Sequence, residues 1–361
     1  MSSSPDPALI DQPGAVRQEN QLDLDVLLPW LARHVPDLPD GRPEVAQYPG
    51  GASNLTYALS FAERTLILRR PPSGTRPKSG HDMGREYRVM SGLHGHYPVP
   101  KPLAHCEDES IIGAPFYVME KLEGIILRRD LPQGMTLEPT RAAGLCRDFW
   151  QRLIDLHQLS PAACGLAELG RPAGYVQRQI EGWNGRYDKA RTEDAPEAQD
   201  VMEWLSAHQI PEDGRASLIH NDYRFDNVVL SPDSDLRIIG VLDWEMCTVG
   251  DPLMDLGCAL AYWVHDDDDP ELEAIRMQPS NLLGMLRRED ITDWYQEQTG
   301  ATIGNPAFYL AFGLFRLAVI AQQIYYRFAM GQTSNPRYKP FGPMVHVLVR
   351  RARATAGLPA R

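Results

Sequence analysis

Two short apolar runs in the middle of the chain lie on either side of a Ser-Pro-Asp-Ser-Asp sequence at 231–235. Apolar stretches separated by such turn residues predict a β-hairpin. A polar sequence, His-Asn-Asp-Tyr-Arg-Phe-Asp-Asn at 220–227, precedes the first run, and Asp-Trp-Glu at 243–245 follows the second. We therefore expect the acidic and amide groups together at the open end of the hairpin.

The two arms of this hairpin differ in length. The second arm is longer by a few residues, an offset of roughly 10 Å at the rise of a strand. A wide turn or a bulge near Gly240 must absorb the difference. If it does, Asn227 and Asp243 can share one metal ion. Asp222 stays outside that pair and is free to act on a substrate hydroxyl.

Periodic patterns predict the remaining elements. Residues 1–20 are rich in Pro, Ser, Asp and Gln, which indicates a mobile tail. Extended runs are predicted within 45–68 and after the proline-rich turn that begins at Tyr97. Apolar positions with helical spacing occur at 22–35, from 84 onward, and at 140–157, 175–187, 198–208, 275–300 and 308–330.

Composition narrows the class of protein. With 361 residues, 43% of them hydrophobic, the chain is long enough for two lobes, and its net charge of -12 argues against nucleic acid or an anionic membrane as partner. Five scattered cysteines without a Cys-x-x-Cys pair indicate reduced thiols in a cytosolic protein. No secretory signal is visible, and the apolar stretch 308–324 reads as too short and too polar to span a bilayer. We expect a soluble, cytoplasmic protein.

The polar residues around the hairpin suit phosphoryl transfer. That reaction needs a dication held by oxygen ligands and a carboxylate that orients the nucleophile and takes its proton. Asp222, then Asn227, then the hairpin and Asp243 supply these groups in order. A P-loop, a nucleophile elbow, a His-Glu-x-x-His motif and a complete Gly-x-Gly-x-x-Gly are all missing from the sequence, so the corresponding enzyme classes lose support.

The same residues resemble the motifs of the aminoglycoside phosphotransferase family within the protein-kinase-like fold. The resemblance implies an α+β, bilobal fold, with a β-rich N-lobe at 21–119, a hinge at 120–123 and a mainly helical C-lobe at 124–361. ATP would lie between the lobes. It also implies that Asp222 is the catalytic base and that Asn227 and Asp243 bind Mg²⁺.

The resemblance also indicates which residues bind the nucleotide. They are Gly51, Ser53, Asn54, Arg69, Glu86, Glu120 and Leu122. The first three belong to a glycine turn whose backbone can approach a phosphate closely. Arg69 stands where related kinases place a lysine that reaches the phosphates, and Glu86 matches its acidic partner. Backbone groups of the last two would read adenine.

Two residues depart from the pattern of this family. Arg69 replaces a lysine and presents a wider planar fork, and Asn221 replaces a glycine, which predicts a left-handed backbone there. Asp255 is expected to anchor the catalytic loop by hydrogen bonds to its backbone, and His220 to brace it. The departures leave a nucleotide-binding pseudokinase open as an alternative, and a metal-dependent phosphohydrolase would use the same acids.

The phosphoryl acceptor is expected to be a hydroxyl of a small molecule. Phe-Arg-Leu-Ala at 315–318, with Gln and Tyr-Arg further on, resembles the subgroup fused to acyl-CoA dehydrogenases, which ranks a hydroxyacyl-CoA first. The net charge suits a cationic acceptor such as an aminoglycoside or choline, whereas Arg224, Arg316 and Arg327 suit an anionic one. The acidic run 266–269 reads as a solvated loop, with a cation-binding lip as the alternative. The sequence does not indicate an oligomeric state.

Overall fold

The structure is a computed structural model that describes residues 11–48, 54–72, 82–211, 214–233 and 235–360. The chain divides into two compact units. Unit 1 comprises Met1–Ile126, Cys164–Leu166 and Asn227–Cys247, and unit 2 comprises Leu127–Ala163, Ala167–Asp226 and Thr248–Arg361. The central hairpin therefore groups with the N-terminal part of the chain. The lobe and hinge boundaries expected from the sequence stay predictions.

Within the described residues, the first part of the chain is rich in strands and the later part is rich in helices. The strands are β1 (Glu44–Gln47), β2 (Leu55–Ser60), β3 (Thr65–Arg70), β4 (Pro102–Cys106), β5 (Phe116–Glu120), β6 (Ser217–Ile219), β7 (Val228–Leu230), β8 (Ile238–Val241) and β9 (Thr248–Gly250). The helices are α1 (Leu24–His34), α2 (Met83–Leu93), α3 (Pro139–Gln158), α4 (Tyr175–Ala190), α5 (Gln199–Ala207), α6 (Pro252–Ala261), α7 (Pro270–Ala274), α8 (Arg288–Thr299), α9 (Pro306–Ala329) and α10 (Phe341–Thr355).

Unit 1 is built on a five-stranded antiparallel sheet in the order β1-β2-β3-β5-β4. The alternating apolar residues of β2 explain its place in the core, because Tyr57 and Leu59 are fully buried. They belong to one apolar cluster with Leu27 and Leu31 of α1. Burial of this face stabilises the sheet, at about 25 cal/mol per Å² of apolar surface removed from water.

The predicted hairpin is present as β7 and β8, which also belong to unit 1. Its register shifts where Val229 pairs with Gly240 and Leu230 pairs with Ile238, so one extra residue lies in the second arm. This bulge is adjacent to Gly240, which confirms the predicted position of the irregularity.

Unit 2 is mainly helical, with α9 packed against α10, α6 and α4. The backbones of α6 and α9 approach closely at two glycines. A Cβ atom added to Gly313 would lie 2.2 Å from the carbonyl oxygen of Gly257, closer than real Cβ contacts. A short antiparallel pair, β6 with β9, completes the unit and leads into the polar sequence at 220–222.

Helix α9 corrects one expectation. At 24 residues it is longer than the stretch considered from the sequence, and by length and composition it passes the test for a membrane-crossing helix. By length and composition α9 is therefore neither too short nor too polar to span a bilayer, and that expectation was wrong. Its apolar character has a different explanation, since 72% of its most apolar window is buried inside the protein. Such burial is typical of a core helix.

Most predicted helices are present within a few residues of the expected bounds, and the α+β class is confirmed. The prediction at 275–300 was wrong in its first half, because only Arg288–Thr299 is helical. Helix α10 was not predicted, although its buried Val345, Leu348 and Val349 have helical spacing. All five cysteines are free and buried.

Candidate active site

Asp222 lies in a loop of unit 2 that follows strand β6, and Asp255 of α6 holds this loop. Asp255 accepts hydrogen bonds from two successive backbone N–H groups, those of His220 and Asn221, each at 2.7 Å. The backbone N–H of Asp222 donates to Nδ1 of His220 at 3.2 Å. The expected anchoring role of Asp255 and the bracing role of His220 are both confirmed. The loop backbone is thereby fixed by a fully buried carboxylate.

Asp255 is itself held by a series of buried hydrogen bonds between side chains. Its Oδ2 lies 3.1 Å from Nε2 of His157, and Nδ1 of His157 lies 2.8 Å from the hydroxyl of Tyr295. Burial favours the neutral acid, but the hydrogen bond and charge of His157, together with His220, lower the pKa of Asp255 below its usual value. Asp255 therefore remains an ionised acceptor at neutral pH.

The carboxylate of Asp222 is held on both of its oxygens. Tyr262 donates its hydroxyl hydrogen to Oδ1 at 2.9 Å, and Arg224 forms an ion pair with Oδ2 at 3.4 Å. Arg224 also pairs with Asp226 at 3.0 Å. Burial opposes the charged form of Asp222, but the charges of Arg224 and Arg316 outweigh it and lower the pKa. The carboxylate is thus oriented and ionised.

Two residues of the predicted site have left-handed backbones that non-glycine residues seldom adopt. Asn221 has φ +66°, as predicted from its replacement of a glycine, and Asp243 has φ +64°. The side chain of Asn221 is fixed by the hydroxyl of Tyr175, which donates to Oδ1 at 3.2 Å. Such conformations cost free energy and persist where the surroundings fix them.

The open end of the hairpin brings Asn227 next to Asp243 in unit 1. The carbonyl oxygen of Asn227 accepts a hydrogen bond from the N–H of Leu242 at 2.8 Å, so Asp243 is one residue beyond the paired position. Asn227 is buried, and the side chain of Asp243 is 31% exposed. Among the described residues, no donor contacts Oδ2 of Asp243. An amide and a carboxylate are suitable oxygen ligands for Mg²⁺.

Arg69, Glu86 and Asp243 form one polar cluster in unit 1. The Arg69 guanidinium donates through Nη1 to Glu86 and to the Tyr117 hydroxyl, and through Nη2 to Asp243 at 3.2 Å. Burial raises the pKa of Glu86 to about 7, against the opposing charge of Arg69. Nε of Arg69 is buried without an acceptor. The pairing of Arg69 with Glu86 expected from the sequence is present.

Of the residues predicted to form a glycine turn, the structure describes Tyr48 and Asn54. Gly51 and Ser53, both predicted to contact a phosphate, lie outside the residues that the structure describes. Asn54 is buried, and its amide donates to the carboxylate of Glu245 at 3.1 Å. Asn54 thus bonds to the segment after Asp243, and its predicted contact with a nucleotide stays a prediction.

The segment predicted to read adenine follows β5. The N–H of Glu120 donates to the carbonyl of Lys101 at 2.9 Å, and its carboxylate accepts from the N–H of Lys101 at 2.8 Å. Leu122 lies over the hairpin, where a Cβ on Gly240 would come within 2.1 Å of its Cδ1. The hairpin glycine therefore makes room for this segment.

The acidic run at 266–269 differs from a solvated loop. Asp268 is 5% exposed and forms ion pairs with Arg288 and Arg351, and Asp269 caps α7. His265, Asp266 and Asp267 lie close enough together to hold a metal ion in principle, although Asp267 already pairs with Arg287. The expectation of a solvated loop was therefore wrong for Asp268, whereas Asp266, Asp267 and Asp269 are exposed.

Several residues that hold the site were missed by sequence reasoning. Tyr262, Tyr175, Tyr117 and Tyr295 each donate or share a hydrogen bond with a site residue, but in sequence they look like ordinary core aromatics. His157 was read as a packed residue, and its bond to Asp255 requires the fold. Only Arg224, which directly follows the loop, had a local signal.

Comparison with solved structures defines the fold class of the protein. The chain superposes on the crystal structure of a candidate aminoglycoside phosphotransferase from Ralstonia eutropha with a TM-score of 0.80 and 33% identity, covering 93% of this chain and 99% of that one. The fold of a spectinomycin phosphotransferase, solved with ADP and spectinomycin, is also shared, with a TM-score of 0.61 and 13% identity over 94% and 100% of the two chains. The expected bilobal, kinase-like fold class is confirmed.

The family follows from the sequence comparisons. A model of the APH phosphotransferase enzyme family matches residues 44–289, and the chain belongs to this family. It is 35% identical over 340 residues to acyl-CoA dehydrogenase family member 10 of Mus musculus, covering 93% of this chain and 31% of that protein. Family member 11 of Gallus gallus is 33% identical over 354 residues, with 94% and 44% covered. The chain thus spans less than half of the length of these two relatives.

Proposed function

We propose that this chain is an ATP- and Mg²⁺-dependent phosphotransferase that phosphorylates a hydroxyl group of a small molecule. The observation that carries the proposal is the fixed, ionised carboxylate of Asp222, with Tyr262 and Arg224 on its two oxygens. A carboxylate held in one orientation can align an acceptor hydroxyl and take its proton as the phosphoryl group is transferred. We place the protein in the cytoplasm, as its free cysteines suggest.

Asp222 acts mainly by orientation. Its pKa is lowered, so it is a weak base in the ground state. In phosphoryl transfer the hydroxyl loses its proton late, and positioning supplies most of the rate enhancement. The ion pair to Arg224 and the hydrogen bond from Tyr262 keep the carboxylate from rotating away from the acceptor.

The residues of unit 1 suit the nucleotide side of the reaction. Asn227 and Asp243 would hold Mg²⁺, which neutralises charge on the transferring phosphate. Arg69 would contact the phosphates while Glu86 fixes its position. Asn54, Gly51 and Ser53 would cover the phosphates. Backbone groups of Glu120 and Leu122 would contact adenine.

A hydroxyacyl-CoA is the acceptor that we rank first. The support is the similarity to two relatives that are acyl-CoA dehydrogenase family members, of which the chain covers 31% and 44%. A cationic acceptor such as an aminoglycoside or choline is the alternative. The arginines close to Asp222 favour an anionic acceptor over a cationic one.

The test is acceptor-dependent ADP release. The purified chain is incubated with Mg-ATP alone and with hydroxybutyryl-CoA, kanamycin or choline, and the fate of the γ-phosphate is followed. We expect ADP and a phosphorylated acceptor in at least one mixture. Inorganic phosphate without a phosphorylated acceptor would identify a phosphohydrolase, and nucleotide binding without turnover would identify a pseudokinase.

Asp222→Asn is the decisive variant. It should lower transfer by about 10²- to 10⁴-fold, the usual contribution of a positioned general base, and leave ATP affinity nearly unchanged. Asp188→Asn, which removes an exposed carboxylate of α4, is the matched control and should transfer at the parental rate. Full activity in Asp222→Asn would refute the assigned role.

A further inference from the structure

A buried glutamine that the proposed mechanism does not use contacts two segments of the candidate active site. Gln278 lies between α7 and α8, and only 2% of it is exposed. Its amide oxygen accepts a hydrogen bond from the N–H of Phe225 at 2.9 Å. Its amide nitrogen donates to the carbonyl oxygen of Tyr262 at 3.3 Å. Both ends of the amide are therefore bonded to backbone groups of other segments.

The first contact is with the turn that follows Asp222. A 3-10 turn covers Phe225–Asn227. The N–H groups at the start of a helical turn have no acceptor within that turn. Phe225 is fully buried, so its N–H needs an acceptor from the protein. The amide oxygen of Gln278 supplies it, and the chain is thereby held three residues beyond the carboxylate of Asp222.

The second contact is with the end of helix α6. Tyr262 directly follows the last residue of α6, and its hydroxyl donates to Oδ1 of Asp222 at 2.9 Å. The last carbonyl groups of an α-helix have no partner within the helix. The amide nitrogen of Gln278 supplies a donor for the carbonyl of Tyr262. It thereby holds the backbone from which the tyrosine side chain reaches Asp222.

Neighbouring residues keep the backbone of Gln278 in place. Its carbonyl oxygen accepts hydrogen bonds from Nη1 of Arg276 and from the N–H of Ser280, each at 2.9 Å. The hydroxyl of Ser280 donates to the carbonyl of Val264 at 2.7 Å and accepts from the N–H of Val264 at 3.0 Å. Residues 276–280 are thus bonded to the segment after α6 at two points, Tyr262 and Val264.

We propose that Gln278 is a positioning residue for phosphoryl transfer, which holds the catalytic loop and Tyr262 in fixed positions so that the carboxylate of Asp222 faces the acceptor hydroxyl. This inference rests on the proposed phosphotransferase function and adds a residue to it. Gln278 acts through Phe225 and Tyr262 and is not itself a catalytic residue.

Gln278 complements the anchor that Asp255 provides. Asp255 fixes the loop before Asp222, through the backbone N–H groups of residues 220 and 221. Gln278 fixes the loop after Asp222, through the N–H of Phe225. A loop held on one side alone can rotate its carboxylate, and a small displacement of a reacting group lowers a rate strongly. The two buried side chains together therefore define the orientation of Asp222.

Gln278→Met tests this role, because methionine is of similar size and offers no hydrogen bond of comparable strength. Steady-state ADP release is measured with the acceptor that the parent protein phosphorylates. We expect kcat to fall roughly 10- to 100-fold, because the carboxylate is misplaced. KM for ATP and for the acceptor should change less than about threefold, because Gln278 contacts neither substrate in this assignment. A parental kcat in Gln278→Met would overturn the proposal.

Gln322→Met is the matched control. Gln322 of α9 is 1% exposed, and its amide donates to the carbonyl of Ala190 at 2.8 Å and to the hydroxyl of Thr192 at 3.0 Å. The variant removes a buried amide from the same unit, so it should lower the unfolding temperature to a similar degree. Its kcat should stay within about twofold of the parent. Equal losses of kcat in both variants would assign the effect to stability and overturn the proposal.

A double-mutant cycle with Tyr262→Phe measures the coupling between Gln278 and the tyrosine hydroxyl. If Gln278 positions that hydroxyl, Gln278→Met should cost at least about threefold less in kcat when the hydroxyl is already absent. Gln278→Asn keeps an amide but is one methylene group shorter, so it cannot bond both backbone groups at once. This milder variant should still lose at least about fivefold in kcat. Additive losses in the cycle, or a parental kcat in Gln278→Asn, would overturn the proposal.

Hydrogen exchange without turnover separates this inference from the proposed function. The peptide that contains the amide of Phe225 should exchange roughly tenfold faster in Gln278→Met than in the parent or in Gln322→Met. Unchanged exchange would overturn the proposal. Faster exchange, in a parent protein that phosphorylates no acceptor, would refute the phosphotransferase and leave the contacts of Gln278 standing. Turnover by the parent with a parental kcat in Gln278→Met would refute the positioning role alone.

Discussion

The anchoring of the catalytic loop by Asp255 can be tested with an isosteric change, Asp255→Asn. The native carboxylate accepts hydrogen bonds from the backbone N–H groups of His220 and Asn221, one on each oxygen, and it also contacts His157. An amide has one oxygen and one NH₂ group, so one of the two backbone donors must face another donor. A buried donor without an acceptor costs about 1–3 kcal/mol. The open loop should therefore become roughly 5- to 150-fold more populated.

Hydrogen exchange read by mass spectrometry measures this effect directly. Peptides that contain the amides of residues 220 and 221 should exchange faster in Asp255→Asn by that factor. Because the pKa of Asp255 is lowered, its carboxylate stabilises the folded state above its usual titration range and loses this effect only as pH falls through the lowered value. The difference from the parent should therefore persist from neutral pH down to about pH 5.

The matched control for this experiment is Asp268→Asn. Asp268 is a 5% exposed carboxylate of the same unit, and it pairs with Arg288 and Arg351 and not with the N–H groups of His220 and Asn221. It should lower stability without accelerating exchange at residues 220 and 221. Unchanged exchange in Asp255→Asn, or equal acceleration in both variants, would refute the reasoning.

Two further changes probe packing and ionisation. Gly313→Ala should destabilise the protein by about 1–3 kcal/mol, because the new Cβ would meet the carbonyl of Gly257 at 2.2 Å; Gly185→Ala in α4, where a Cβ meets nothing within 4 Å, should instead raise the unfolding temperature slightly. Tyr262→Phe removes a donor to Asp222 and should shift the acid limb of the pH–rate profile to higher pH, with transfer lost as pH falls through the raised pKa. An acid limb at the same pH in Tyr262→Phe would show that Asp222 is not the titrating group. An unchanged unfolding temperature in Gly313→Ala would show that α6 and α9 can move apart to accommodate the new Cβ without loss of stability.

The hairpin and its polar flanks could be predicted because their information is local. Asn227 and Asp243 lie directly before and after two apolar runs, so counting residues along the arms placed both at one end and required a wide turn or a bulge near Gly240, of which the bulge is present. The left-handed backbone at Asn221 was predicted from the resemblance instead, because related sequences have a glycine at this position. Chemistry that a sequence carries in neighbouring residues can be recovered from spacing alone.

The residues that hold the site could not be predicted in this way. Tyr262 and Asp222 are forty positions apart, and Tyr295 reaches Asp255 through His157, so their roles appear only when the helices pack. The helix predicted at 275–287 failed for a related reason. Apolar spacing suggested a helix, whereas Pro279 and Gly284 break it, and Gly284 adopts φ +99° against the carbonyl of Pro139.

Arg69 shows why a departure from a motif has to be interpreted with its neighbours. A lysine offers one nitrogen, whereas the fork of Arg69 reaches Glu86 and Tyr117 with one arm and Asp243 with the other. The arginine therefore ties the acidic partner from α2 to the aspartate after the hairpin, and it does so at an Asp243 whose backbone is left-handed. Because replacing such a buried ion network with apolar residues is often neutral or stabilising, stability alone does not explain its presence. The cluster suits the phosphate site that we propose, and a nucleotide-binding pseudokinase would hold it equally well, so ADP release and not the identity of residue 69 distinguishes the two.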